Sequence, residues 1–202
     1  GGRPGFAQSI FQVGGNFGSA TGPLLAALIV VPYGQGSIGF FSLAALTAIS
    51  VLWNVGRWYK PRIVPRDVRQ PGVADDGLTR HQIMIGVVVL ILLVLSKQVY
   101  LSSLSSYYTF YLIQKFGVTT QNAQLLLFLF LGAVAAGTLI GGPIGDRIGR
   151  KYVIWFSILG VLPFTLALPH VDLFWTAVLT VIIGLIISSA MPAIIVYGQE
   201  LM

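Results

Sequence analysis

Six long apolar runs, separated by polar breaks, organise this chain. They occupy about 6–31, 38–56, 83–113, 123–141, 152–169 and 173–196. A helix needs about 20 apolar residues to cross a bilayer, with a range of ~17–25, so each run predicts one membrane-spanning helix. The third is longer than required and is expected to tilt or project. The fifth is near the minimum, contains Pro163 and ends at Pro169. Connections are short except for about 57–82, whose three prolines and mixed charge read as a linker between two helical groups.

Within the runs, the polar and small positions form stripes. In the first, Gly14, Gly18, Gly22 and Ala26 recur every fourth residue, and Pro23 follows Gly22. Missing side chains let a neighbouring helix approach closely, and proline permits a kink. That stripe is therefore predicted to pack. A second stripe, Gln8, Gln12, Asn16 and Ser19, falls within roughly 80° of arc at 100° per residue. It reads either as amide cross-links between helices or as a face towards an aqueous cavity.

The third run holds Lys97, 14 positions from its start at residue 83, or ~21 Å along a helix. That depth is inside a hydrocarbon core of about 30 Å. Tyr100, Tyr107, Tyr108 and Tyr111 lie within roughly 80° of its direction, with Ser102, Ser103, Ser105 and Ser106 nearby. A buried ammonium is expensive and usually faces a cavity or a partner. The sharper expectation is a site for an anionic or polar aromatic solute. The plainer ones are a lysine that snorkels to an interface or pairs with a carboxylate elsewhere. Gln121, Asn122 and Gln124 read as a solvated helix start, and Glu200 as an interfacial residue.

Composition agrees with the pattern. The chain is 55% hydrophobic and 9% charged, whereas soluble domains carry roughly 25% charged residues. The fold class is an all-α polytopic membrane protein. There is no cysteine, hence no disulfide or thiolate metal site, and His81 and His170 lie near opposite interfaces, too far apart to share a metal. No phosphate-binding loop or nucleophile–base arrangement is present, so neither an enzyme nor a cofactor is expected. The net charge of +6 orients the chain rather than marking a nucleic-acid binder. Arg3, Arg57, Lys60, Arg62, Arg66, Arg69, Arg80, Arg147, Arg150 and Lys151 fall on one side, with Lys115 opposite and Lys97 inside a span. The positive-inside rule puts 57–82 and 142–151 in the cytoplasm. The chain opens Gly-Gly-Arg without an initiator methionine and reads as an internal fragment.

One connection carries a motif. Gly142, Asp146, Arg147, Gly149, Arg150 and Lys151 fill every fixed position of Gly-x-x-x-Asp-Arg-x-Gly-Arg-Lys. This resembles the cytoplasmic signature of the major facilitator superfamily. Gly18, Gly22 and Pro23 resemble that family's Gly-x-x-x-Gly-Pro-x-x-Gly-Gly helix-packing signature of proton-coupled exporters, with Ala26 and Ala27 in place of the last glycine pair and Ser9 in place of an earlier glycine. The runs Gly1–Gly18 and Ser105–Gly117 look like the bacterial fosmidomycin-resistance branch of drug:proton antiporters.

The resemblance implies six transmembrane helices, about half of a twelve-helix fold. Residues 1–56 would be the last two helices of the N-terminal half, 57–82 the linker, and 83–202 the first four helices of the C-terminal half. It implies alternating access in a bacterial inner membrane, efflux of a small antibiotic such as a phosphonate, and protons as coupling ion. Lys97, Tyr100, Tyr107, Tyr108 and Tyr111, with Gln12 and Asn16, become candidate substrate-binding residues. The 142–151 stretch becomes a candidate gate, in which Asp146 could accept from a neighbouring helix N-terminus or from an arginine in the outward-facing state. A metabolite uptake carrier and a non-transporting membrane sensor are the alternatives.

Overall fold

The computed structural model describes residues 4–59 and 80–201. Most of the expected linker, including Lys60, Arg62, Arg66 and Arg69, lies outside the described residues, as does Arg3. Among the described residues all regular structure is helical. Helix α1 (Pro4–Leu25) widens into a π turn over Ala26–Val30 and ends at Tyr33. A 3-10 turn (Gln35–Phe40) leads into α2 (Phe41–Tyr59). Then come α3 (Arg80–Phe116), α4 (Thr120–Ile148), α5 (Arg150–Leu159), α6 (Leu162–Ala167) and α7 (Leu173–Leu201). With its 3-10 ending at His170, the α5–α6 stretch makes one span, Arg150–His170. Among the described residues, six helices are thus long and apolar enough to cross a membrane.

Helix α4 is the hub. It packs along α1 on one side and α7 on the other, while α3 lies against α4 and α7, and α5 against α7 and α4. Small residues permit this. A Cβ on Gly137 or Gly141 would strike the backbone of Leu185 or Ser189 on α7. One on Gly142 would lie 2.5 Å from the Gly5 carbonyl oxygen and 2.7 Å from Ser9 Oγ on α1. Larger side chains fill the outer half. Phe130 and Tyr108 are buried with ring centroids 6.1 Å apart, and Leu112, Ala123 and Leu127 surround them. Helix α2 packs on the turn before it and exposes Leu46, Ile49, Leu52 and Trp53, as a lipid-facing span does.

The two faces of α1 differ in their surroundings within this chain. The packed stripe is Gly5, Ser9, Asn16 and Ala20, which meets α4, and Ser9 and Ala20 are fully buried. A Cβ on Gly14, Gly18 or Gly22 would meet nothing within 4 Å. Among the described residues the glycine stripe with Gly18, Gly22 and Pro23 packs against no helix. Both stripes consist of small residues, and helical periodicity says which positions share a face without saying which face finds a partner. Of the predicted polar stripe, Asn16 joins this contact through Thr138 Oγ1, while Ser19 is exposed.

The Gly142 contact yields a paired prediction. Gly142→Ala in the full-length protein should lower its unfolding temperature, because overpacking a tight contact costs about 1–3 kcal/mol. Gly145→Ala, on the same helix, should be neutral or better: its Cβ would meet Ala193 at an ordinary 3.5 Å, and alanine favours helix over glycine by about 1 kcal/mol. Thermal unfolding in detergent measures both. Equal shifts for the two variants would refute the packing argument.

Candidate functional site

At the end of α4, the residues of the glycine-rich motif take separate jobs. Gly142 lets α1 approach. One turn later, Asp146 accepts from the backbone N–H groups of Gly5 (3.3 Å) and Phe6 (3.2 Å). These belong to the first turn of α1, whose N–H groups lack intrahelical partners and carry partial positive charge. Arg150 sits 3.9 Å from the same carboxylate, so Asp146 faces positive charge from two directions. Gly149 alone connects α4 to α5 and adopts φ +108°, a conformation that favours glycine. Arg147 and Lys151 are exposed, and among the described residues neither pairs with a carboxylate.

Further into the bundle, Gln12, Asn16 and Gly15 of α1, Gln98 and Leu101 of α3, Val134 and Thr138 of α4, and Ser188 and Met191 of α7 line a cleft of about 500 Å³. The Asn16 amide donates to Thr138 Oγ1 at 2.8 Å, and that hydroxyl donates to the Val134 carbonyl at 2.9 Å. Asn16 therefore cross-links α1 to α4 at the cleft edge. Gln12 Oε1 is buried without a hydrogen-bond partner, an unmet acceptor at the wall. Gln98 and Ser188 are polar wall residues that the sequence reading passes over. Gln98 stands directly after Lys97, and Ser188 follows an apolar stretch with no stripe to mark it.

Lys97 lies beside the midpoint of α3, in the buried stripe of Leu90, Tyr108 and Leu112. It is 5% exposed and its Nζ makes no hydrogen bond. The carboxylates among the described residues lie at span ends: Asp146 at the end of α4, Asp172 just before α7 and Glu200 beyond Gly198. No structural ion pair accounts for this lysine among the described residues.

The tyrosines gather elsewhere. Tyr100, Tyr107, Tyr108 and Tyr111 line a groove of about 320 Å³ with Ser103, Leu104, Thr165 and Leu168, between α3 and α6. Tyr100 shares a hydrogen bond with Thr165 (2.8 Å), and Tyr108 with Thr180 on α7 (3.0 Å). Tyr111 donates to the Leu168 carbonyl (3.2 Å). Tyr107 is exposed. Three of the four hydroxyls thus tie helices together, and Tyr108 is a core residue. Lys97 lines neither this groove nor the cleft, so the sequence-predicted set divides among three places.

Lys115 completes the tyrosine end. Its ammonium donates to Tyr111 Oη (2.9 Å) and to the carbonyl of Pro169 (2.6 Å), and sits over the Tyr111 and Phe116 rings. In the sequence it registers only as a charge on the far side. Its spacing of four from Tyr111, at the carbonyl-rich end of a helix, is the signal that could have found it.

Six helices long and apolar enough to span a membrane, with polar clefts between them and a charged glycine turn joining two of them, define a polytopic helical membrane protein among the described residues. Residues 2–202 match the Major Facilitator Superfamily, and the chain belongs to that family of transporters. It is 60% identical over 202 residues to the fosmidomycin resistance protein of Escherichia coli (strain K12), covering all of this chain and 50% of that protein. It is 35% identical to the uncharacterized MFS-type transporter YfnC of Bacillus subtilis (strain 168), covering 98% of this chain and 49% of the relative. The chain spans about half the length of the curated relatives it matches. No solved structure matches it significantly.

Proposed function

We propose that the full-length protein is a secondary active transporter that exports a small antibiotic, such as the phosphonate fosmidomycin, by alternating access, with protons as the coupling ion. In this reading α1 and α2 are the last two helices of one six-helix half, and α3 to α7 open the other. The protein sits in a bacterial inner membrane with 57–82 and 142–151 cytoplasmic. The identity of 60% to a fosmidomycin resistance protein along the whole chain supports the substrate class.

The observation that carries the mechanism is the capping of α1 by Asp146, across 140 residues of sequence. If the two helices belong to different halves, this contact closes the cytoplasmic end. Opening that end removes the carboxylate from the N-terminus of α1, so the cap biases the equilibrium between the two states. Two packed halves rocking about a midplane site is the usual design of such carriers. Lys97, deep in α3 and without a partner among the described residues, supplies a positive charge for an anionic substrate, and Gln12 Oε1, Gln98 and Asn16 supply polar wall groups in the neighbouring cleft.

The test is a resistance assay. Cells expressing the full-length protein should tolerate more fosmidomycin than cells without it, and dissipating the proton gradient should remove the protection. Protection that survives loss of the gradient eliminates proton coupling. Absence of protection eliminates the substrate. Growth dependent on an imported metabolite would favour an uptake carrier instead.

A further inference from the structure

A third cavity lies on the face of α4 turned away from α1. It is a groove of about 660 Å³ between α4 and α5, floored by α7. Gly137, Ile140, Ile144 and Ile148 form one wall, and Tyr152, Val153 and Phe156 the other. Its lining is apolar apart from Ser189, whose hydroxyl already donates to the Ile186 carbonyl at 2.7 Å, and the Tyr152 hydroxyl at its mouth. No ordered polar solute has a reason to enter.

The groove runs from Gly137 to Ile148, about 17 Å along α4 at 1.5 Å per residue. That is close to the depth of one leaflet of a hydrocarbon core of about 30 Å. Its charged end is the glycine turn. Ile140, Ile144 and Arg147 are spaced i, i+4, i+7 and share one face of α4. Thr138, Gly142 and Asp146, which meet α1, share the opposite face. Arg147 therefore stands on the groove's side of α4, next to Ile148 at its end. Lys151 precedes Tyr152 on the facing helix. Arg150 turns to Asp146, while Arg147 and Lys151 have no carboxylate partner among the described residues. Two exposed cations thus stand near one end of the apolar slot, without lining it.

We propose that this groove binds an anionic glycerophospholipid from the adjoining leaflet, with an acyl chain between α4 and α5 and its phosphate against Arg147 and Lys151. The shape suits a chain rather than a compact solute, and the charge favours an anionic over a zwitterionic headgroup. A cation near an anionic membrane surface contributes about 1 kcal/mol, which is about fivefold in affinity. Two cations give on the order of 30-fold. The site is separate from the cleft and from Lys97, so it stands whatever the transported solute is.

The full-length protein in detergent can be titrated with phosphatidylglycerol and with phosphatidylethanolamine of matched chains, and retained lipid read by native mass spectrometry. The wild type should prefer phosphatidylglycerol by roughly 30-fold, and the Arg147→Gln/Lys151→Gln double variant should lose most of that preference. Ile144→Trp, which fills the slot, should reduce retention of both lipids. Arg147→Lys should keep the preference and shows that charge, not folding, is being read. Equal retention of the two lipids by the wild type overturns the proposal. So does an unchanged preference in the double variant, or full retention in Ile144→Trp.

Discussion

Lys97→Met in the full-length protein is expected to abolish phosphonate export while leaving the protein folded and no less stable than the wild type. An ammonium in a membrane helix costs about 2.5–3.5 kcal/mol on insertion scales, and Lys97 is buried with no hydrogen bond to offset that. Replacing a buried charge by an apolar side chain of similar volume is often neutral or stabilising. A structural lysine would do the opposite, since its loss would orphan a partner, yet none is present among the described residues. Hydrogen bonds to charged groups contribute roughly 1.5–3 kcal/mol, so losing one from an anionic substrate should weaken its binding on the order of ten- to a hundredfold. Resistance assays and thermal unfolding, run together, separate the cases. Normal resistance with Lys97→Met, or a folded but strongly destabilised protein, would sink the substrate role.

Asp146→Asn is expected to slow transport severely with expression intact. Asparagine can still accept one hydrogen bond, but it loses the charge that faces both the N-terminus of α1 and Arg150. A cap and a helix-end charge together contribute about 1–2 kcal/mol. That shifts a two-state equilibrium by roughly 5- to 30-fold, towards the state in which this end of the α1–α4 contact is open. The direction can be read independently of transport. Ser9 is fully buried against Gly142, so a Ser9→Cys reporter should react faster with a water-soluble thiol reagent in the Asp146→Asn background. Unchanged transport and unchanged labelling would remove Asp146 from the gate.

Much of this was readable from residue order. Each apolar run became a span, because a membrane leaves a backbone little alternative to helix. The fifth run shows where local chemistry still decides details: it is short and proline-bearing, and it breaks at Gly160–Val161 into α5 and α6. The charged turn was legible too, since Gly149 and the Asp146–Arg150 pair act between neighbours in sequence. The candidate site was less legible. Lys97 and the four tyrosines share one side of a helical projection, but a projection discards position along the axis. Tyr111 lies 14 residues from Lys97, ~21 Å along α3, where the neighbour is the end of α6.

By itself, the sequence determined the membrane class, the six spans, the uneven distribution of Lys and Arg among the connections and the family signature, because these depend on composition and on contacts within a few residues. The tertiary structure alone decided which stripe of α1 is packed, that Asp146 caps a helix 140 residues away, that the tyrosine hydroxyls serve mainly to fasten helices, and that Arg147 lines up with an apolar groove. These are properties of faces and partners. A helical repeat defines a face, but only the packing of a second helix against it determines what that face does.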